Sequence, residues 1–288
     1  MSGFPTRVVV IGAGTMGAGI AQAAAAAGWP TTLTDTNPEA LGGALDRISR
    51  TLDGAVQRGK LDRAERDVIL GRLRTAPGMR AACEGADLVV EAVVEDLDAK
   101  RDVMSQASDW AEPSALLATN TSSISVGDIA ADLPRPERVV GLHFFNPVHV
   151  MKLVEIVLHA GSDAAAQADA LAVVRAMGKE PIVVRDSPGF ASSRLGIALG
   201  LEAMRMLEEG VASAADIDRA MELGYNHPMG PLKLTDLVGL DVRLRIADYL
   251  HQALGSERFA APAILRRLVA EGKLGKKSGH GFYDWSQS

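Results

Sequence analysis

Gly12, Gly14 and Gly17 stand in the spacing G-x-G-x-x-G within "VVVIGAGTMGAGI". Glycine at the first position permits a tight turn, at the second a close approach of backbone to a phosphate, and at the third close packing of a helix on a strand. The preceding run is β-branched and the following run is rich in alanine. The loop therefore leaves a strand and opens a helix, whose first turn, with Thr15 and Met16, suits a pyrophosphate on the helix dipole. "TTLTD" then ends at Asp35, near the distance of about 20 residues at which such a unit sets an acid on the ribose hydroxyls. A 2′-phosphate there would meet a like charge, so the constellation predicts NAD rather than NADP. A second stretch, "GLHFFNPVHVMKLVEIV" (141–157), poses an electrostatic problem. Along a strand Leu153, Glu155 and Val157 share one face and Val154 and Ile156 the other, so both faces read as buried. A carboxylate there is costly unless a partner meets it, and the other polar group of note nearby is His143.

The elements that must position these groups alternate. "RVVVI", "TTLTD", "ADLVVEAV", "ALLATN", "RVVGLHFF", "KLVEIV" and "KEPIVVRD" read as strands, and helical stretches open at the glycine loop, at Pro38 and over "EDLDAKRDVMSQASDW". That pattern predicts an α/β fold, a doubly wound sheet of the Rossmann type. After Asp186 no strand is evident. "ASAADIDRAMELG", "MGPLKLTDLVGLDVRLRIADYLHQAL" and "PAILRRLVAEGKLG" read as helices, with Ser213 and Pro262 at helix starts. The expected organisation is a dinucleotide-binding domain over 1–187 and an all-α domain over 188–288. The apolar stripes of the second suit burial against a copy of itself, so a homodimer is expected.

Composition narrows the partners. The 288 residues are 47% hydrophobic and 23% charged, as in an ordinary globular protein, and the net charge of −6 argues against a nucleic-acid surface. The one cysteine, Cys83, excludes an internal disulfide, suits a reducing compartment and reads as a packed residue. Residues 8–34 carry no charge and follow Arg7, which mimics a signal peptide or membrane span. Internal glycines, Gln22 and Pro30 break that stretch into strand, turn and helix, so a cytoplasmic protein without a membrane or metal site is expected.

The motifs resemble those of the 3-hydroxyacyl-CoA dehydrogenases, including the 3-hydroxybutyryl-CoA enzymes, over essentially the whole length. The matching pieces are "VIGAGTMGAGIAQ", "VVEAVVEDLDAK", "NTSSI", "GLHFFNPVHVMKLVEIV", "DSPGF", "GYNHPMGPLKLTDLVGLD" and "GKLGKKSGHGFYDW". The resemblance implies oxidation at C3 of a 3-hydroxyacyl thioester, with hydride passing to NAD. It implies His143 as the base, Glu155 as the histidine's partner and Ser122 as a donor to the reacting oxygen that also lies at the cofactor. Read alone, Ser122 is a helix cap before "ISVGDI". The resemblance also implies cofactor contacts from Glu95, Lys100, Asn146 and Lys277. It places CoA contacts at Thr51 and Arg58, though with other side chains than the family's, and Lys60 beside them is a further cation for phosphate. The family's "GFxxNR" is here "GFASSRLG". Ser193 thus stands where an asparagine amide is usual, and is expected to be secondary to Ser122. Two other readings fit parts of the pattern: a dehydrogenase of free hydroxy acids or sugar acids, and an NAD-binding protein that has lost catalysis.

Overall fold

The computed structural model describes residues 5–286, which divide between Ser187 and Pro188 into two compact units. The first is built on eight strands: β1 (Val8–Ile11), β2 (Thr31–Thr34), β3 (Leu73–Ala76), β4 (Leu88–Glu91), β5 (Leu116–Thr119), β6 (Val139–Phe144), β7 (Leu153–Leu158) and β8 (Glu180–Arg185). They form one sheet in the order β3-β2-β1-β4-β5-β6-β7-β8. Pairing is parallel except between β6 and β7, which run antiparallel. Among them are α1 (Thr15–Ala26), α2 (Pro38–Gln57), α3 (Arg63–Gly71), α4 (Met79–Cys83), α5 (Leu97–Trp110), α6 (Val126–Ala130) and α7 (Ala164–Ala176). This is the Rossmann-type architecture. The central strands are apolar on both faces and wholly buried, as parallel strands between helical layers must be.

One strand escapes the sequence reading. β3 is "LRTA" at the sheet edge, with Leu73 buried and Arg74 and Thr75 exposed. An edge strand needs burial on little of its length, so its polar sequence carries no alternating signal. Cys83 is fully buried, and burial pushes its thiol up to about 11, so it is a packing residue.

The second unit is helical: α8 (Ser192–Glu208), α9 (Ala214–Gly224), α10 (Pro231–Val238), α11 (Leu240–Leu254) and α12 (Ala263–Ala270). Helix α8 is not singled out in the sequence, because serines and glycines obscure its apolar stripe of Ile197, Leu201 and Met204. The stretch 229–254 read as one helical run is two helices, broken where Gly239 takes φ +102°. Ser213 caps α9 through the Asp216 amide, and Pro262 occupies the N-cap of α12. No helix among the described residues is long and apolar enough to cross a membrane.

Asp236, buried on α10, organises the chain end. Its carboxylate accepts from the Phe282 and Tyr283 amides, both at 2.9 Å, and from the Trp285 indole at 2.8 Å. Asp236→Ala strands these donors, each worth about 1–3 kcal/mol when left buried and unpaired. A net cost of about 3 kcal/mol should lower the Tm by roughly 6–12 °C, at about 2–4 °C per kcal/mol for a chain of this size. Differential scanning calorimetry checks the shift.

Candidate active site

The strand order reverses between β1 and β4, so the chain leaves their carboxyl ends in opposite directions and opens a crevice there. A cavity of about 750 Å³ occupies this place, lined by Gly12, Gly14, Asp35 and Ala92–Val94 among others. The three glycines differ in what they do. A Cβ on Gly12 would lie 2.5 Å from the Ala92 carbonyl oxygen, and one on Gly17 would lie 1.8 Å from that of Gly12. Those two positions are closed to side chains by the protein's own backbone. A Cβ on Gly14 would meet nothing within 4 Å. Gly14 is also the N-cap of α1, and no side chain caps that helix. Open space against uncapped amides fits a pyrophosphate.

Side chains hold this loop from both sides. The Asp35 carboxylate accepts from the Ala13 amide at 2.6 Å and from the Asn37 amide at 2.8 Å, while the Arg47 guanidinium donates to the Ala13 carbonyl at 2.6 Å. Asp35 is thus fixed at the cavity wall, where a ribose would meet it. Arg47 is absent from the sequence reading, since an arginine on a surface helix gives no sign of reaching a loop 34 residues away. Met16 is partly buried and packs its side chain against the core.

The Glu155 problem is solved by register. In the β6–β7 hairpin His143 stands directly opposite Glu155, which puts both side chains on one face. His143 Nδ1 lies 2.7 Å from Glu155 Oε2, and the carboxylate is 0% exposed. The Phe145 ring leans on the imidazole with centroids 4.5 Å apart. The loop joining the two strands is pinned by Lys179, whose ammonium donates to the Val148 and Met151 carbonyls; burial pulls that ammonium below its ordinary value.

A second buried carboxylate, Glu91 at the end of β4, was not singled out in the sequence, although "LVVE" poses the same problem as "LVEIV". Glu91 is 0% exposed and accepts from the Val93 amide at 2.7 Å, the Thr119 hydroxyl at 2.6 Å and Lys100 Nζ at 2.8 and 3.1 Å. Lys100 itself is 1% exposed, with Nζ also 3.3 Å from Glu95 Oε2. The structure thus seats the Lys100 ammonium between two carboxylates inside the protein. Glu95 Oε1 in turn gathers the Thr121 hydroxyl at 2.7 Å, the Ser122 and Ser123 amides at 2.9 and 3.1 Å, and the hydroxyls of both serines at 3.3 and 3.1 Å. Burial raises the Glu95 carboxyl, but Lys100 and the Thr121 and Ser122 donors outweigh it and hold the group below the ordinary carboxylate range. Ser122 is therefore the exposed residue of a turn organised by Glu95 and by the fully buried Thr121, whose hydroxyl oxygen accepts from the Ser123 and Ile124 amides; the cap of α6 is Ser125, three residues after Ser122.

The remaining residues fall in three places. Thr15, Thr51 and Asn146 line a small cavity of about 110 Å³, together with Arg47 and His149. Arg58 and Lys60 are exposed at the end of α2, outside the lining of both cavities. In the second unit, Ser193 lies in the first turn of α8, and Lys277 pairs with Asp241 at 2.5 Å, which holds the Asp241 carboxyl below its usual range.

The two units match two family models, "3-hydroxyacyl-CoA dehydrogenase, NAD binding domain" over residues 7–187 and "3-hydroxyacyl-CoA dehydrogenase, C-terminal domain" over residues 189–285. The chain belongs to the 3-hydroxyacyl-CoA dehydrogenase family. It is 42% identical over 281 residues to a probable 3-hydroxybutyryl-CoA dehydrogenase of Bacillus subtilis, covering 98% of each chain. It is 41% identical over 288 residues to a 3-hydroxybutyryl-CoA dehydrogenase of Mycobacterium tuberculosis, covering 99% of this chain and all of the other. The crystal structure of (S)-3-hydroxybutyryl-CoA dehydrogenase from Ralstonia eutropha matches with a TM-score of 0.94 at 36% identity, over 98% of this chain and 99% of that one. The cofactor of this dehydrogenase fold is NAD, and the open face at Gly14 and the fixed carboxylate of Asp35 fit it.

Asp35 generates a prediction for cofactor choice. NADH should be preferred over NADPH by more than about tenfold, since a like charge near 4 Å costs about 1–4 kcal/mol close to a surface. Asp35→Ala should narrow that gap. Steady-state rates with both cofactors on wild type and variant check it, and equal turnover by wild type would contradict it.

Proposed function

We propose that this chain catalyses the reversible NAD-dependent oxidation of a 3-hydroxyacyl-CoA to the 3-ketoacyl-CoA. The observation that carries this is the imidazole–carboxylate pair of His143 and Glu155, at 2.7 Å, in a chain whose two halves both match the family. With Nδ1 held by Glu155, proton transfer runs through Nε2: in the oxidative direction His143 takes the proton of the C3 hydroxyl. The buried carboxylate keeps the imidazole in the tautomer that can accept there and stabilises the imidazolium once it forms. Ser122 donates to the reacting oxygen as it becomes a carbonyl, its one hydroxyl proton turning there from Glu95 Oε1, 3.3 Å away. NAD, when bound, would supply the acceptor for the hydride that leaves C3. Gly14, with the first turn of α1, would hold its pyrophosphate and Asp35 its ribose; Asn146 would lie near its nicotinamide, and Glu95, Ser122 and Lys277 are further cofactor contacts. Lys100 acts there through Glu95 rather than by direct contact, because its ammonium is buried between Glu91 and Glu95.

Thr51, Arg58 and Lys60 meet the CoA moiety, the two cations through its phosphates. Ser193 is a weaker donor than the asparagine usual at its position, since a hydroxyl is shorter and offers no amide fork. The helical unit serves substrate binding and pairs with a second copy. Its exposed Leu195, Val211, Leu223, Tyr225, Leu234 and Leu237 support that pairing. A single buried cysteine suits a reducing compartment, and we place the protein in the cytoplasm.

NADH oxidation with acetoacetyl-CoA and longer 3-ketoacyl-CoAs tests the function. Turnover of free acetoacetate but not of the thioesters would favour the hydroxy-acid reading. On the active substrate, His143→Ala should lower kcat by at least about 100-fold, the low end of general-base contributions. Glu155→Gln should cost a comparable amount while NADH affinity, followed by nucleotide fluorescence, stays nearly unchanged. Ser193→Ala should lower kcat/KM by less than about tenfold, under 1.4 kcal/mol by rate arithmetic, and Ser122→Ala by clearly more.

A further inference from the structure

We propose that Glu91 is a positioning residue of this reaction: by seating Lys100 it holds Glu95, and through Glu95 the 121–123 turn that carries Ser122. The identity of the reaction rests on the function proposed above; the mechanical link stands on the geometry alone.

The link begins in the interior of the sheet. Glu91 ends β4 between Ile11 of β1 and Thr119 of β5, its register partners in the centre of the sheet. Its carboxylate is further fixed by the Val93 amide and the Thr119 hydroxyl. Lys100 reaches that carboxylate from α5 and has both of its contacts with it inside the core. Glu95, by contrast, lies outside the strands in the segment between β4 and α5, and its side chain is 37% exposed. What holds Glu95 Oε2 is the same ammonium, at 3.3 Å. Its other oxygen gathers the amides and hydroxyls of the turn. Lys100 is therefore shared between a fixed anion and an adjustable one. A buried ammonium must keep an anionic partner. Without the charge on Glu91 it would close on Glu95, turning that carboxylate away from Thr121, Ser122 and Ser123. The Ser122 amide would then lose its acceptor and the hydroxyl its set position, while the fold around them persisted.

The test separates this from a merely structural ion pair. Glu91→Gln with Lys100→Met removes both charges; the amide keeps an acceptor for Val93 and a donor for the Thr119 hydroxyl, and methionine keeps the lysine stem's bulk. Replacing a whole buried pair is often neutral or stabilising, so the double variant should melt at or above the wild-type temperature. Its kcat with acetoacetyl-CoA and NADH should nevertheless fall by about 10- to 100-fold, the scale on which a displaced catalytic group acts, because Glu95 Oε2 then lacks the seated ammonium that held it. KM for the thioester should stay within about threefold, as expected for a contact realised in the transition state. Amide hydrogen exchange over 121–124 should quicken by at least about tenfold, as protection there reports local opening, with β1 and β4 unchanged. A folded double variant with wild-type kcat and wild-type exchange overturns the proposal. Should that variant fail to fold, Glu91→Asp decides: it keeps both charges but draws the seat back by one carbon, and must lower kcat and speed the same exchange, or the proposal falls. If the wild-type chain turns over no 3-ketoacyl-CoA, the function proposed above fails, and the exchange over 121–124 alone decides the link.

Discussion

A carboxylate buried in a sheet that is covered on both faces must find its counter-group at once, and that constraint shapes the site of this protein. Water cannot reach Glu91 or Glu155, each fully buried at a strand position. Desolvation of an unpaired carboxylate would cost more than the fold could absorb. Each group therefore imposes an arrangement on its surroundings. Glu155 needs β7 to lie antiparallel to β6 in the one register that sets it opposite His143, and a slip by one residue would turn it to the other face of the sheet. Glu91 needs a hydroxyl from β5 and an ammonium from α5.

The sheet order supplies the other half of the design. With β1 and β4 adjacent, the glycine loop after β1 and the segment after β4 open on the same crevice. The loop is not soft for being rich in glycine. Gly12 and Gly17 are filled against backbone, and Ala13 is held through its amide by Asp35 and through its carbonyl by Arg47. Only Gly14 turns open space toward the cavity. A rigid cradle with one vacant face is what close backbone contact with a phosphate requires, since ordering a flexible loop on binding would draw on the same free energy.

Polar groups at the carboxyl ends of β4 and β5 are organised in series. Glu95 collects donors from the 121–123 turn on one oxygen and the Lys100 ammonium near the other. Beyond the buried Thr121, the serines of this turn have little packing to define it. Converging hydrogen bonds on a single charged acceptor define it instead, because charge-assisted bonds are the stronger kind and resist local fraying. The Lys179 contacts with the Val148 and Met151 carbonyls do the same for the loop between His143 and Glu155. In the first place a carboxylate paired with a buried lysine, in the second a lysine itself, gives shape to a segment that its own sequence leaves free.

Local chemistry was enough for much of this. Continuous β-branched runs marked the central strands, glycine spacing marked the loop, and Asp35 at the end of its strand marked the cofactor side, because each signal depends only on neighbours along the chain. The presence of Glu155 in an apolar strand announced that a partner must exist. The edge strand β3 meets too little of the core to impose a pattern, and helix α8, though its Ile197, Leu201 and Met204 are core residues, has that stripe diluted by serine and glycine, so neither was legible. Nor were Glu91, Arg47 and the inward seat of Lys100. Their partners lie on other elements: Glu91 with Lys100 and Thr119, Arg47 with the loop after β1. Sequence records which groups are charged and which segments are apolar. Which charge meets which is decided by strand order and register, and those are set only when the whole sheet closes around its core.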